Sequence, residues 1–142
     1  MRELTKVALA VLAIGAAVAY TRWPRINDVE TGRTPEYDDL RIQRFTATEE
    51  RVTRAARAAV AALPGWELVG SGRGPGGAEV QAVARTRVLR FKDDVTVRIR
   101  KRDDLTEVSV RSRSRVGKAD FGQNARNVRA FQAELERQML RP

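Results

Sequence analysis

At 142 residues the chain is long enough for one domain and too short for two of ordinary size, and 42% hydrophobic with 32% charged residues is the composition of a folded globular protein. It contains neither cysteine nor histidine, which removes thiol nucleophiles, Ser-His-Asp triads, disulfides and thiolate or imidazole metal sites. A net charge of +9, from 27 basic against 18 acidic residues, favours contact with polyanions such as nucleic acid, acidic lipid headgroups or acidic polymers.

The N-terminal stretch, residues 1–22, reads as a membrane anchor or a signal segment. Arg2 and Lys6 precede the uncharged run Val7–Tyr20, and Ala17-Val18-Ala19 offers an A-x-A-like cleavage site. The alternative to cleavage is a spanning helix over Leu4–Trp23, with Lys6 and Arg22 snorkelling and Tyr20 and Trp23 at the interface. Either reading places the domain outside the cytoplasm, membrane-anchored in one case and exported to the periplasm in the other.

Residues 23–37, with Pro24, Asn27-Asp28, Gly32 and Pro35, read as an irregular linker, and residues 38–142 as the single domain. Leu40–Phe45 is a candidate edge strand. Thr46-Ala47-Thr48-Glu49 fits a capping box, in which the Thr46 hydroxyl and the Glu49 carboxylate satisfy orphan amides. The helix that follows carries Val52, Ala55, Ala56, Ala59, Val60 and Leu63 on one stripe and stops at Leu63-Pro64-Gly65.

A strand starts at Trp66–Val69, and the glycine-rich Gly70–Gly77 reads as a loop. Its formal G-x-G-x-x-G, at Gly72, Gly74 and Gly77, leads into a strand and not a helix, so no dinucleotide site is expected. Glu79–Phe91 reads as a long strand with a bulge near Val88, because Leu89 and Phe91 break the parity set by Val80, Ala82, Ala84 and Val88. Lys92-Asp93-Asp94 and Asp103-Asp104 are read as turns around the strand Val95–Lys101, and Glu107–Val116 follows. The closing helix is capped by Asp120 and presents Phe121, Ala125, Val128, Phe131, Leu135 and Met139 on one face.

Aligning the strands by their turns puts Arg85, Arg87, Arg98, Arg100, Arg111, Arg113 and Arg115 on one sheet face, opposite Val95, Val97, Ile99, Val108 and Val110. These seven are the candidate binding residues, for phosphate or carboxylate on an acidic partner. The competing reading is a solvated face whose arginines pair with Glu67, Glu79 or Glu107. The aspartate pairs 38–39, 93–94 and 103–104 read as turn residues. Ser109, Ser112 and Ser114 have no histidine to activate them, and no local motif makes Lys101 or Lys118 a base, so no catalytic residue is nominated. No metal or cofactor is called for. Nucleic acid is disfavoured, with only 6% aromatic residues and no stacking platforms between the arginines.

I-N-D-V at 26–29, L-P-G-W-E at 63–67, K-D-D-V at 92–95 and V-R-S-R-S-R-V-G-K-A-D-F-G-Q-N-A-R at 110–126 resemble domain-of-unknown-function family 1499. The resemblance implies an α+β domain of bacterial type, often with a signal or membrane segment, and no established activity. It directs attention to Asp93, Asp94, Asp120 and Asn124, beside Arg111, Arg113 and Arg115; the segment Asn27–Tyr37 is shorter than the family's version. The expected fold is a four- to five-stranded antiparallel sheet with two helices packed on one face. The expected function is a membrane-associated, non-enzymatic domain of the cell envelope whose basic sheet face contacts acidic partners. A small-molecule or lipid-binding domain with a cavity between helices and sheet is the alternative, and an enzyme comes third.

Overall fold

Alternation of valine with charged residues builds the centre of the molecule. β5 (Lys92–Arg102) and β6 (Leu105–Ser114) pair antiparallel, with Val95, Val97 and Ile99 opposite Ser112, Val110 and Val108. In the computed structural model, which describes residues 2–142, β4 (Gly77–Arg85) and β3 (Trp66–Gly74) extend this hairpin on one side. On the other side β1 (Asp28–Glu30) and β2 (Gln43–Phe45) both pair with β6. The sheet is therefore six-stranded and antiparallel, in the order β1-β6-β5-β4-β3 with β2 beside β6, against the four to five strands expected.

The extra strand comes from the stretch read as a linker. β1 buries Val29 against the sheet, and Pro35–Tyr37 forms a 3-10 turn. Between β1 and β2 the edge is kept by Thr31, whose N–H donates to the Val110 carbonyl at 3.0 Å while its hydroxyl accepts from the Val110 N–H at 3.0 Å.

Two helices cover one face of the sheet, as expected. α2 (Glu49–Ala62) buries Val52, Ala55, Ala56, Ala59 and Val60, and α3 (Gln123–Met139) buries Ala125, Val128, Phe131 and Leu135. The alanines let α2 approach the sheet closely, and Phe131 fills the space toward Trp66, stacked at 6.2 Å between ring centroids. Each buried Val, Leu or Phe contributes about 1.5–3 kcal/mol relative to exposure. Arg51 on α2 donates to the carbonyls of Met139 and Arg141, which ties the first turn of α2 to the end of α3.

Several boundaries differ from the sequence reading. Thr48 and not Thr46 caps α2, accepting from the Arg51 N–H at 3.2 Å. β3 runs through the glycines to Gly74, so the glycine-rich stretch is a strand and a tight hairpin, not a loop. The bulge lies in β3 between Leu68 and Gly70, not near Val88. β4 ends at Arg85, and residues 87–89 turn, so the lost parity at Leu89 and Phe91 marks chain leaving the sheet. Asp93 and Asp94 are already within β5 and not in a turn, whereas Asp103-Asp104 does turn. Phe121 lies outside α3 and is exposed.

α1 (Arg2–Arg22) is one helix whose described side chains are exposed. No helix among the described residues is long and apolar enough to cross a membrane, so the anchor expectation is not shown. The charge-free run spans only about 21 Å at 1.5 Å per residue, against a hydrocarbon core of about 30 Å. Met1 and the side chains of Ala19, Tyr20 and Arg22, on which the interfacial and snorkelling readings draw, lie outside the described residues.

Candidate functional site

The register puts Arg98, Arg100, Arg111 and Arg113 on the sheet face away from the helices, with Arg85 at the end of β4 and Arg115 just past β6. Arg87 is not among them, since it sits in the turn after β4. Acids interleave the rest. Arg98 lies 3.7 Å from Glu30 and 3.5 Å from Glu79, and Arg44, Arg100 and Arg102 converge on Glu107. Arg111 clasps Asp28 through Nε at 2.9 Å and Nη2 at 2.5 Å, and Arg115 clasps Asp94. The hydrogen bond from Arg111 holds the Asp28 carboxyl below the usual range despite partial burial, and Arg113 adds to the effect. The face is a lattice of both charges. Glu79 and Glu107 act as the paired-face reading expects; Glu67 forms no ion pair among the described residues.

The polar groups that the sheet buries lie elsewhere, on the helix side and at one end. Strand pleating points Asp93, Ser112 and Ser114 inward on the same parity as Val95, Val97, Val108 and Val110. Helix spacing points Asn124 and Asn127 inward, one turn before Val128 and Phe131. These groups satisfy one another. Asn127 Nδ2 donates to Asp93 Oδ2 at 2.8 Å and to Ser112 Oγ at 3.1 Å, and Ser112 Oγ donates to Asn124 Oδ1 at 2.7 Å. Asn124 Nδ2 donates to Ser114 Oγ at 2.8 Å and to the Asn27 carbonyl at 3.1 Å, while Gln123 donates to Asn127 Oδ1 at 2.9 Å.

Asp93 is 2% exposed. Burial pushes its carboxyl above the usual value; donors on Asn127 and Ser114 oppose the shift, and the charges of Asp120 and Asp94 add to it. Burial therefore favours the proton-bearing form of this carboxyl more than it would for an exposed aspartate.

Above Asp93 the surface opens into a cleft of about 460 Å³ between the β4–β5 turn and the loop joining β6 to α3. Val88, Leu89, Phe91, Val116 and Phe121 make its walls apolar, Asp93 and Ser114 lie at its polar end, and Arg87, Asp120 and Arg126 line its rim. The loop is firmly set. The N-cap position of α3 is Gly122 and not Asp120, but the Asp120 carboxylate accepts from the Gly122 N–H at 2.9 Å and the Asn124 N–H at 2.8 Å, which satisfies an amide of the first turn and suits the helix dipole. Asn27 donates to the Gly117 carbonyl at 2.6 Å. Phe121 is held at φ +51, a left-handed conformation that costs roughly 1–2 kcal/mol for an L side chain, and its ring meets Trp23 edge to face at 6.2 Å. Strain of this kind collects where a side chain is aimed for a purpose other than stability.

Of the residues singled out by resemblance, Asp93, Asp120 and Asn124 come together here, while Asp94 points to the opposite face with Arg115. Ser112 and Ser114, dismissed as nucleophiles, belong to the network, and Asn27 and Asn127 were missed. Among the described residues no three acids stand close enough to hold a metal ion, and nothing near Asp93 activates a nucleophile. The arrangement suits recognition of a molecule with an apolar body and a small polar head.

Two solved structures are matched at low similarity. The crystal structure of TTHA0849 from Thermus thermophilus is 14% identical with a TM-score of 0.41, covering 80% of this chain and 97% of that one. Protein CV1439 from Chromobacterium violaceum is 11% identical with a TM-score of 0.39, covering 80% and 94%. No curated protein matches. The family model described as "Protein of unknown function (DUF1499)" matches residues 18–135. The chain belongs to the DUF1499 family of proteins of unknown function.

Proposed function

We propose that this domain binds a small amphiphilic molecule in the cleft above Asp93, with the apolar body between the β4–β5 turn and the β6–α3 loop and the polar head at the buried carboxyl. The observation that carries the reading is the pairing of an acid 2% exposed with five apolar cleft-lining side chains in one concavity. It is a version of the small-molecule or lipid-binding alternative, moved from the helix–sheet interior, which is packed, to the end of the sheet. The basic sheet face supports contact with acidic partners less well, because Asp28, Glu30, Glu79, Asp94 and Glu107 already pair with Arg98, Arg100, Arg111 and Arg115. The exposed apolar helix α1 fits an exporting or membrane-directing segment, with the domain outside the cytoplasm; cell fractionation with mass determination tests compartment and cleavage together.

The cleft is tested with dissolved decanol, followed by NMR shifts of backbone amides. Shifts concentrated in residues 86–93 and 114–124 are the expected result, and Leu89→Asp, an exposed change in the cleft wall, is expected to weaken binding about tenfold. Absence of binding, or shifts confined to the outer sheet face, would overturn the reading.

A further inference from the structure

The cleft opens at an end of the molecule whose surface is unlike the rest. Val88 is 89%, Leu89 68% and Val116 61% exposed, and Phe91, Phe121 and Trp23 are exposed around them. All six project from the β4–β5 turn, the β6–α3 loop and the segment leaving α1, which the antiparallel order brings to one end of the sheet. Turns in water are ordinarily polar, and a contiguous apolar patch at their tips marks a contact surface.

The patch is ringed by cations. Arg25, Arg87, Arg90, Lys92, Lys118 and Arg126 are exposed in the same loops or at their ends. Of the acids at this end, Asp93 is buried in the asparagine network, Asp120 accepts from backbone N–H groups at the start of α3, and the exposed Asp94 pairs with Arg115, while Glu67 lies to one side with Arg85 and Arg90. Apolar tips with a tryptophan and a basic ring complement a bilayer carrying anionic headgroups: the side chains sit among the acyl boundary and the cations meet phosphate. Continuity points the same way, since Trp23 follows directly on the apolar α1 and packs on Phe121 of the loop.

We infer that this end of the domain docks onto an anionic lipid surface, with Val88, Leu89 and Val116 entering the interface and the mouth of the Asp93 cleft facing the lipid. The inference goes beyond the cleft's occupancy: docking needs only the tips and the basic ring. It also places the acidic partner at the end of the sheet and not on its arginine-bearing face.

The absence of cysteine makes site-specific labelling direct. An environment-sensitive fluorophore on Leu89→Cys of the full chain is compared with one on Asp104→Cys, in the β5–β6 turn at the opposite end, in phosphatidylcholine vesicles containing phosphatidylglycerol. The expected result is quenching by bilayer-buried quenchers at position 89 and none at 104. In the unlabelled protein Arg90→Glu with Lys118→Glu, neither of which lines the cleft, is expected to lower vesicle partitioning tenfold or more. Equal response of the two labels, or partitioning unaffected by the charge reversals, would overturn the inference. Dissolved decanol separates the two ideas: charge reversal leaves its binding intact, decanol binding by the native protein without vesicle docking sinks the lipid surface, and docking without decanol binding sinks the cleft reading.

Discussion

Asn127 of α3 donates its amide to the carboxyl of Asp93 on β5 at 2.8 Å, across 34 residues of chain and inside the core. The bond joins helix to sheet where valine gives way to polar groups, and it shares its donor with Ser112. Asn127→Leu fills similar space but withdraws hydrogen bonds from Asp93, Ser112 and Gln123. A loss of about 2–3 kcal/mol is expected at pH 7. The loss shrinks at acid pH, because protonation of the Asp93 carboxyl lessens its need for the donor. Urea denaturation at pH 7 and at acid pH measures both, and an equal loss at each would mean that the amide contributes by shape alone.

Burial sets the sign of a second prediction. The Asp93 carboxyl is raised from its usual 3.8 chiefly by desolvation, so the folded protein holds this proton more tightly than the unfolded chain. Its contribution to stability is fully present below the unfolded value and is lost as pH rises through the folded value. Asp93→Asn keeps the shape and cannot ionise. Its stability relative to the native protein should therefore improve as pH rises from the unfolded value through the folded one and level off above it, as read by denaturation midpoints at constant slope. A difference that does not change with pH would count against an ionisable, buried Asp93.

Asp28 should behave in the opposite sense. The hydrogen bond from Arg111 lowers its carboxyl below the usual value, so its stabilising contribution is present above that value and lost as pH falls through the folded one. Asp28→Asn should flatten the acid limb of the stability curve and leave the alkaline side unchanged in shape. Both partners are about a third exposed, and the pair is therefore expected to contribute no more than about 1 kcal/mol, less in high salt. An acid limb as steep in Asp28→Asn as in the native protein would show that the clasp on β1 does not hold the carboxyl in solution.

The contrast between the two aspartates also shows what the residues alone could say. Val95, Val97 and Ile99 announce the inward parity of β5, and counting back two residues from Val95 places Asp93 on the core side. Ser112 and Ser114 follow from Val108 and Val110 by the same count. The local preference of Lys-Asp-Asp for turns obscured that parity, and no rule of spacing says that two serines, two asparagines and an acid will satisfy one another across three elements. β3 hid for a different reason, because glycine carries no strand signal. Arg87 was misplaced because the alternation Arg85-Thr86-Arg87 continues beyond the last sheet hydrogen bonds, while only the register fixes where β4 ends. The helices and the β5–β6 hairpin were legible because their apolar periods extend over many residues. The cleft was not, since its walls come from two turns that meet only once the sheet is assembled.

The glycine-rich hairpin gives the most local test of the register. Gly77 opens β4 at φ +112, and a Cβ built there would lie 2.4 Å from the carbonyl oxygen of Ile99 on β5. Ile99 is wholly buried at the centre of the core, so that carbonyl has little room to withdraw. Gly77→Ala combines a clash with a disfavoured backbone and should cost at least the roughly 1–3 kcal/mol of such strain. Gly72, in the same hairpin, has nothing within 4 Å of the corresponding position and a φ that alanine accepts. Gly72→Ala should stay within about 0.5 kcal/mol of the native protein or stabilise it slightly by restricting the unfolded chain. Thermal denaturation of the two variants, measured side by side, tests the pairing of Ala78 with Ile99. Equal tolerance at both positions would require β4 and β5 to pair in another register, and with it Asp93 would lose its place beneath the cleft.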